Sequence, residues 1–354
     1  MSIPYMTGWE GGAAAWYTGT VAAWAGLTFG AFSSVAGNQH RTLAGQGGNW
    51  SMLAGWGYNC LPGTVPTTSR WLNHWMKPVT PGTSALAVQF GRATVCQVNV
   101  RFLGNGTLEL YRGSTLLVSL PGAYNPNLNH WLAVNVIAAN AGGIIDVWLD
   151  GARINGLSGP GFPTFTGDTQ QDAVNADWDQ FGWGGNIAPS SAGVNSGGDW
   201  YVDDVFVTDA VTGRLTETYI IPIVPDADSA PLTLTPNPVV AHYLNVDEIP
   251  ANDADYNGTS VSGDQDFYDM TAPPAGSAVL AINFNARATR DGALTHGEVA
   301  ITSGATTVYS AAAVLPASPS YLDMQVISET DPDTGIAWTN AGVAAVKAGF
   351  RFTT

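Results

Sequence analysis

Between Ala85 and Ile154 the chain passes through "ALAVQFG", "CQVNVRFLG", "GTLELYRGSTLLVSLPG", "HWLAVNVIAA" and "IIDVWLDGARI", each alternating apolar with polar residues and separated by Gly and Asn turns. A period of two belongs to an extended strand that buries one face. Strands that follow one another about every ten residues leave no room for the helical crossovers that parallel pairing requires. The pattern therefore predicts an antiparallel pair of sheets, and a jelly-roll sandwich is the arrangement that buries them with few open edges. The 42 Gly, 21 Pro and 13 Trp favour short strands and tight turns over long helices.

With 354 residues the chain exceeds what one core usually fills, so two domains are expected. Charge divides it further. Through Arg214 there are 12 acids and 8 bases, residues 215 to 286 carry 10 acids and no Lys or Arg, and 287 to 354 carry 6 acids and 4 bases. The expected organisation is a jelly roll over 1–213, an acidic, Pro- and Asp-rich ordered connector over 214–275, and a C-terminal β-rich assembly domain over 276–354. In that last part "SAVLAINFNARATRDG", "THGEVAITSGATTVYSAAAVL" and "YLDMQVISETDPDTG" read as strands. Val343 and Val346 at helical spacing behind Asn340 predict one short helix near 341–348, capped by Asn340, before a last strand.

The formal charge of −16 disfavours nucleic acid and anionic membranes, because counterion release needs clustered Lys and Arg. No apolar run reaches about 18 residues, so no membrane insertion is expected. The opening "MSIPYMTGWEGG" lacks a basic n-region and an apolar h-region, so synthesis as a soluble cytoplasmic product is expected. Cys60 and Cys96 lack the spacing of a zinc site or a disulfide framework and read as two buried thiols.

The stretch "DWYVDDVFVTDAVTG" concentrates Asp199, Asp203, Asp204 and Asp209. Strict alternation sets Tyr201, Asp203, Val205 and Val207 against Trp200, Val202, Asp204, Phe206 and Thr208, so the paired aspartates face apart and cannot act together as glycoside hydrolysis requires. Apolar residues on both sides suggest a strand covered on both faces. No G-x-S-x-G elbow, H-E-x-x-H or phosphate-binding loop occurs, and His40, His74, His130, His242 and His296 lie far apart and read as structural. The expectation is a non-enzymatic protein with no catalytic residues.

Two candidate binding sites stand out. The loop "NADWDQFGWGGN" mixes aromatic and polar residues, making Trp178, Asp179, Trp183 and Asn186 candidates for stacking on and hydrogen-bonding to a glycan, against the alternative that these tryptophans fill a core. "SGDQDFYD" spaces Asp264, Asp266 and Asp269 as candidate calcium ligands, with Asx-turn chemistry as the alternative, and no other cofactor is expected.

Three stretches carry a family resemblance. "NHWLAVNV", "DVWLDGARI" and "WYVDDVFVTD" are similar, in that order, to the strand opening, the hairpin and the closing strand of laminin-G-like and concanavalin-like jelly rolls, and "FGWGGN" sits where that family often has a Gly-Gly turn. Glycosidases on such scaffolds generally carry an E-x-D-x-x-E strand, which this chain lacks. The later runs "YIIPIVPDADSAP", "HYLNVDEIPANDADYNGTSVSGDQDFYDM" and "ETDPDTGIAWTNAGVAAVKAGFRF" resemble structural proteins of tailed bacteriophages. The resemblances imply an all-β chain: an antiparallel concanavalin-like jelly-roll sandwich, then a smaller β-rich domain with at most one short helix. They also imply a virion component of tail or fibre type, assembled in the host cytoplasm with copies of itself and other virion proteins. A carbohydrate-binding host-receptor role, with a host-surface glycan as partner, is the alternative, and a polysaccharide depolymerase comes third.

Overall fold

The computed structural model describes residues 5–7, 28–29, 39–42, 50–54, 57–60, 70–78, 85–92, 95–174, 177–178, 180–183, 200–209, 213–218, 220–221, 223–248, 253–276 and 278–354. Before Arg70, and at Asp203, Asp204 and Asp209, only the backbone is described. The described residues form two compact units that meet in sequence between Ile220 and Ile221.

The front unit is a jelly-roll sandwich of two antiparallel sheets. One runs Ala152–Arg153, Gly143–Leu149, His130–Ile137, Arg70–Pro78, Trp200–Asp209, Trp50–Ala54 and Gln39–Thr42, with Tyr5–Thr7 and Phe165–Gly167 paired alongside. The other runs Thr115–Leu120, Leu108–Arg112, Val95–Leu103, Ala85–Arg92, Gln180–Trp183, Gly57–Cys60 and Thr28–Phe29. Side chains of paired residues share a face, so Leu72, His74 and Met76 line up with Val134, Leu132 and His130 across their ladder. That face meets Val88, Phe90, Val100 and Phe102 of the second sheet, and all four are buried.

The outer face of the first sheet is covered too. Trp131 packs edge-on against Trp75 at 5.6 Å and Phe206 at 6.1 Å. A strap after residue 213 closes over them: Leu215 N donates to Asn73 Oδ1 at 3.1 Å, and its carbonyl accepts from Trp131 Nε1 at 3.1 Å. Thr208 Oγ1 anchors the approach by donating to the Gly213 carbonyl at 2.6 Å. The apolar residues flanking the aspartates thus serve two buried faces, as the sequence suggests. Strict alternation does not hold, however. Asp203 pairs with Trp75 but Phe206 pairs with Asn73, so Asp204 and Val205 together oppose the single residue His74. This bulge resets the facing of every residue after it, which period-two counting cannot anticipate.

Pairing also separates the two cysteines. Cys60 stands opposite Gln180, Gln180 opposite Gly91, and Gly91 opposite Cys96. Three strand spacings amount to about 14 Å, beyond the roughly 7 Å between α-carbons that a disulfide tolerates. Burial pushes the Cys96 thiol up to about 12, which leaves it a small inert core group.

In the second unit one sheet runs Pro225–Leu232, Gln265–Met270, Lys347–Thr353, His296–Ser303 and Thr306–Tyr309, with Ala313–Val314 paired to His296–Ser303. Ile282–Ala288 pairs with Leu322–Ser328, and Thr235–Asn237 with Tyr256–Gly258. Ile282, Phe284, Val299, Ile301, Met324 and Trp338 belong to its buried core, with Ile223 and Met270 packed against them. The acidic stretch expected to be a connector over 214–275 is therefore different in kind. Its first residues complete the front sandwich, and the rest supplies two strands of the rear sheet. Local composition could not show this, because Pro225–Leu232 and Gln265–Met270 become a sheet only by pairing with each other and with the distant Lys347–Thr353.

The short helix is present as Asn340–Ala344, one turn with Val343 buried, and Val346 is buried just beyond it. Its cap is Thr339, whose side chain accepts from Gly342 N at 3.0 Å, rather than Asn340. The hydroxyl one residue earlier sits at the correct spacing for the first free N–H groups.

Candidate functional site

The Asp150–Gly151 pair shapes an open groove on the surface of the front unit. Both residues have positive φ, 50° and 81°, as a two-residue hairpin turn of mirror-image type demands, and Asp-Gly is a favoured sequence for it. The turn reverses the chain between Leu149 and Ala152 and points the Asp150 carboxylate back at the neighbouring strand. There Oδ1 accepts from Trp131 N at 2.9 Å and Oδ2 faces His130 Nδ1 at 2.7 Å. The other imidazole nitrogen, Nε2, lies 2.7 Å from the Asn125 carbonyl.

An ionised carboxylate and a peptide carbonyl can only accept, so both His130 nitrogens donate and the ring is an imidazolium. Burial alone would lower the His130 pKa, but its bonds to Asp150 and Asn125 and the charge of Asp150 outweigh burial and raise it. Burial pulls Asp150 the other way, upward, yet His130 and the Trp131 amide hold its carboxyl below the usual value. Tyr124 packs edge-on against His130 at 5.6 Å and Phe102 at 5.6 Å, and its hydroxyl donates to the Leu103 carbonyl.

These groups line an open groove of about 640 Å³ between the 120–125 connection and the 149–155 hairpin, with Tyr124, Asn125, Asp150, Arg153 and Asn155 among its lining residues. Arg153 is held in place: Nη2 donates to Asp146 Oδ2 at 3.0 Å, Nη1 donates to the Gly161 carbonyl at 3.0 Å, and the guanidinium lies 4.7 Å from the Trp148 ring. Beyond Asn155 a loop leaves the hairpin with Leu157 and Phe162 exposed at 81% and 58%. Its base is rigid. Thr164 Oγ1 donates to the Ile154 carbonyl at 2.8 Å, and a Cβ at Gly156 would lie 1.7 Å from the Thr164 carbonyl oxygen, so only glycine fits there. The groove thus offers a fixed carboxylate and amide groups beside an exposed aromatic loop. It offers no free imidazole nitrogen.

The residues singled out in the sequence fall elsewhere. Trp178 is 0% exposed and Trp183 2%. Trp178 Nε1 donates to the Val136 carbonyl at 3.0 Å and its ring meets Phe90 edge-on at 5.0 Å. Trp183 Nε1 donates to His74 Nε2 at 3.4 Å. Both tryptophans sit between the sheets, so the expectation that they stack on a sugar is corrected: large aromatics in a sandwich are first of all core. Asp179 and Asn186 lie outside the described residues. His74 completes the contrast with His130. Its Nδ1 donates to the Trp75 carbonyl at 3.0 Å while Nε2 accepts, so it is neutral. Burial drives its pKa down to about 4, against a backbone bond to Trp75 that raises it.

Asp264, Asp266 and Asp269 are not brought together either. Asp266 is 0% exposed and accepts four hydrogen bonds: Oδ1 from Thr233 N at 2.8 Å and Leu234 N at 2.9 Å, Oδ2 from His242 Nδ1 at 2.6 Å and Tyr268 Oη at 3.1 Å. Asp264 accepts from Thr259 Oγ1 at 2.6 Å. Asp269 has the opposite parity to Asp266 on the strand Gln265–Met270, so it belongs to the other face of the sheet. Among the described residues no group of three or more His, Cys, Asp or Glu is disposed to hold a metal ion. The aspartates work instead as turn and network anchors.

Sequence reasoning passed over His130 and Asp150. The signal was there in the Asp-Gly turn and in a histidine opening the strand "HWLAVNV", but their meeting across Trp131 follows only from pairing.

No family model matches the chain, and no curated protein does. Among solved structures, the carbohydrate-binding module CBM66 of Bacillus subtilis matches at 12% identity and TM-score 0.32, over 52% of this chain and 96% of that one. The alginate lyase Aly36B, in complex with alginate trisaccharide, matches at 11% identity and TM-score 0.34, over 59% of this chain and 99% of that one. A Trypanosoma rangeli sialidase, in complex with 2,3-difluorosialic acid, matches at 13% identity and TM-score 0.32, over 49% of this chain and only 26% of the sialidase. None of the three is described as a virion protein, so the likeness to phage structural proteins stands on sequence motifs alone. At this level of identity and score the matches carry no argument about this chain.

Proposed function

We propose that the front unit is a carbohydrate-binding module whose ligand lies in the groove between Tyr124–Asn125 and Asp150–Asn155. The observation that carries the reading is the preset Asp150 carboxylate, half exposed at 51% and locked on its inner side by His130 and Trp131. A carboxylate with fixed inner bonds keeps its outer lone pairs for a ligand without further ordering. Its charge is balanced by His130 and that of Arg153 by Asp146, so the groove suits a neutral sugar whose hydroxyls both donate and accept. A volume of about 640 Å³ is within the range of small-molecule sites. Binding is favoured over turnover because both His130 nitrogens are committed, which leaves no base beside the carboxylate.

The test is a glycan array of neutral oligosaccharides followed by titration calorimetry on any hit. Asn155→Ala is expected to weaken binding about tenfold, the loss of roughly one hydrogen bond to a ligand, with unchanged thermal stability. A silent array, or a variant that binds as well as the parent chain, rejects the groove.

Assembly into a phage tail or fibre, with synthesis in the host cytoplasm, is a separate proposal that rests on the order of the sequence motifs. Mass spectrometry of purified virions decides it.

A further inference from the structure

Residues 237–246 of the second unit carry a group of exposed apolar side chains, followed in sequence by Asp247 and Glu248. Val239 and Val240 lead into a single 3-10 turn, His242–Asn245, which carries Leu244, and Val246 follows it; all four, with Tyr256 beside them, are exposed, Val239 at 87%. A loop carrying this much apolar surface would be expected to fold down, yet it is held out by a buried network. Asp228 accepts from His242 N at 3.1 Å and Tyr243 N at 2.7 Å. Asn257 Nδ2 donates to the His242 carbonyl and to Tyr268 Oη, each at 2.8 Å. Asn245 Nδ2 reaches the Pro238 and Tyr256 carbonyls, each at 3.2 Å, and Asn257 Oδ1 at 3.1 Å. Beneath them Asp266 holds His242 Nδ1. Nδ1 is the nitrogen that faces Asp266, and the ring is part-exposed.

Charge indicates the occupant. Residues 215–286 contain no Lys or Arg, and Asp247, Glu248, Asp253 and Asp255 follow the patch directly. Partial burial and the charges of Asp255 and Asp247 raise the Glu248 carboxyl. Arg287 is already taken, with Nε 2.8 Å and Nη2 3.0 Å from the two oxygens of Asp253. Like charge disfavours a second copy of the same surface, and the acidic residues that follow the patch disfavour an anionic membrane.

We infer that the surface formed by Val239, Val240, Leu244, Val246 and Tyr256 is a docking site for a basic polypeptide segment, whose apolar side chains cover the patch and whose Lys or Arg groups meet the acidic residues that follow it. Aromatic and aliphatic anchors at the centre with charge at the rim is the usual division between affinity and steering. The site lies in the second unit and is independent of the glycan groove.

The experiment uses the full chain and three fluorescent synthetic peptides of equal length: one of Leu and Arg, one of Gly and Arg with the same charge, and one of Leu and Glu. Anisotropy titrations are expected to show the Leu/Arg peptide binding at least tenfold tighter than the Gly/Arg peptide, and the Leu/Glu peptide not at all. The double variant Val240→Ser, Leu244→Ser leaves the charge untouched and changes exposed residues, so it should fold normally by thermal unfolding and lose that tenfold preference. Equal binding of the two Arg peptides means attraction to an acidic protein in general and overturns the inference, as does a folded double variant with an unchanged preference. Binding of the Leu/Glu peptide alone would make the surface an apolar site without charge selection, and overturns it too.

Discussion

Among the described residues each unit contains one histidine–aspartate pair with nearly the same contact, 2.7 Å for His130–Asp150 and 2.6 Å for His242–Asp266, but the two are turned inside out. In the front unit the histidine side chain is buried at 5% exposure and the carboxylate stands on a surface turn; in the rear unit the carboxylate is wholly buried and the imidazole reaches outward. The difference decides what each pair can do. His130, closed on both nitrogens by acceptors, is a fixed cation that keeps a carboxylate available at the surface. His242 meets Asp266 through Nδ1 and presents the rest of a part-exposed ring instead. One contact type thus gives a carboxylate-presenting surface in one unit and an imidazole-presenting surface in the other.

The strongest way to break this comparison is to remove the two carboxylates in turn. Asp266→Ala strands two backbone amides, a hydroxyl and an imidazole in the interior, and about 3–5 kcal/mol of stability is expected to go, as for one partner deleted from a buried charged network. Asp150→Asn keeps a residue that tolerates positive φ and removes only a half-exposed charge, for which about 1 kcal/mol is expected. Chemical denaturation measures both. Equal losses would show that the burial of the carboxylate is irrelevant.

Next in size is pH, where His74 sharpens the picture. Its folded pKa, lowered to about 4 by burial, lies below the unfolded value near 6.5. Acid therefore protonates the unfolded chain first, and stability of the front unit should fall as pH drops from about 6.5 toward 4, by on the order of 3 kcal/mol. His130 behaves oppositely. Its folded pKa is raised by Asp150 and Asn125 against the effect of burial, so its contribution is complete below about 6.5 and is lost as pH rises through the folded value. A stability profile peaking near the shared unfolded value is expected, and in His130→Gln the alkaline decline should disappear while the acid decline persists. A single monotonic profile in the parent chain would contradict the assignment of one neutral and one cationic ring.

The smallest expected effects are at the surface. Asn155→Ala should change stability by less than about 0.5 kcal/mol while reducing glycan affinity, and Leu244→Ser should leave glycan affinity alone. Calorimetry with the same sugar checks both, and a loss of glycan binding in Leu244→Ser would remove the independence of the two surfaces.

How much of this could be read from the chain follows one physical rule. Where a signal is local it came through: the alternation of 85–154 became Ala85–Arg92, Val95–Leu103, Leu108–Arg112, Thr115–Leu120, His130–Ile137 and Gly143–Leu149, and Val343 and Val346 marked a real turn of helix. Where meaning depends on what lies opposite, it did not. Trp178 and Trp183 look the same in sequence whether a second sheet or a sugar covers them. Asp266 looks like one of three calcium ligands until Thr233, Leu234, His242 and Tyr268 arrive from other parts of the chain. The extra residue at Asp204–Val205 cannot be seen without the partner strand that lacks it.

The strap at Leu215 sets where this molecule can be divided. A fragment ending at Gly213, the boundary that sequence alone suggests, would strip the cap from Trp131 and Phe206 and take away the partners of Asn73 Oδ1 and Trp131 Nε1. Anyone wishing to isolate the front unit should carry it through to Ile220, or expect a sandwich with one wet, adhesive side.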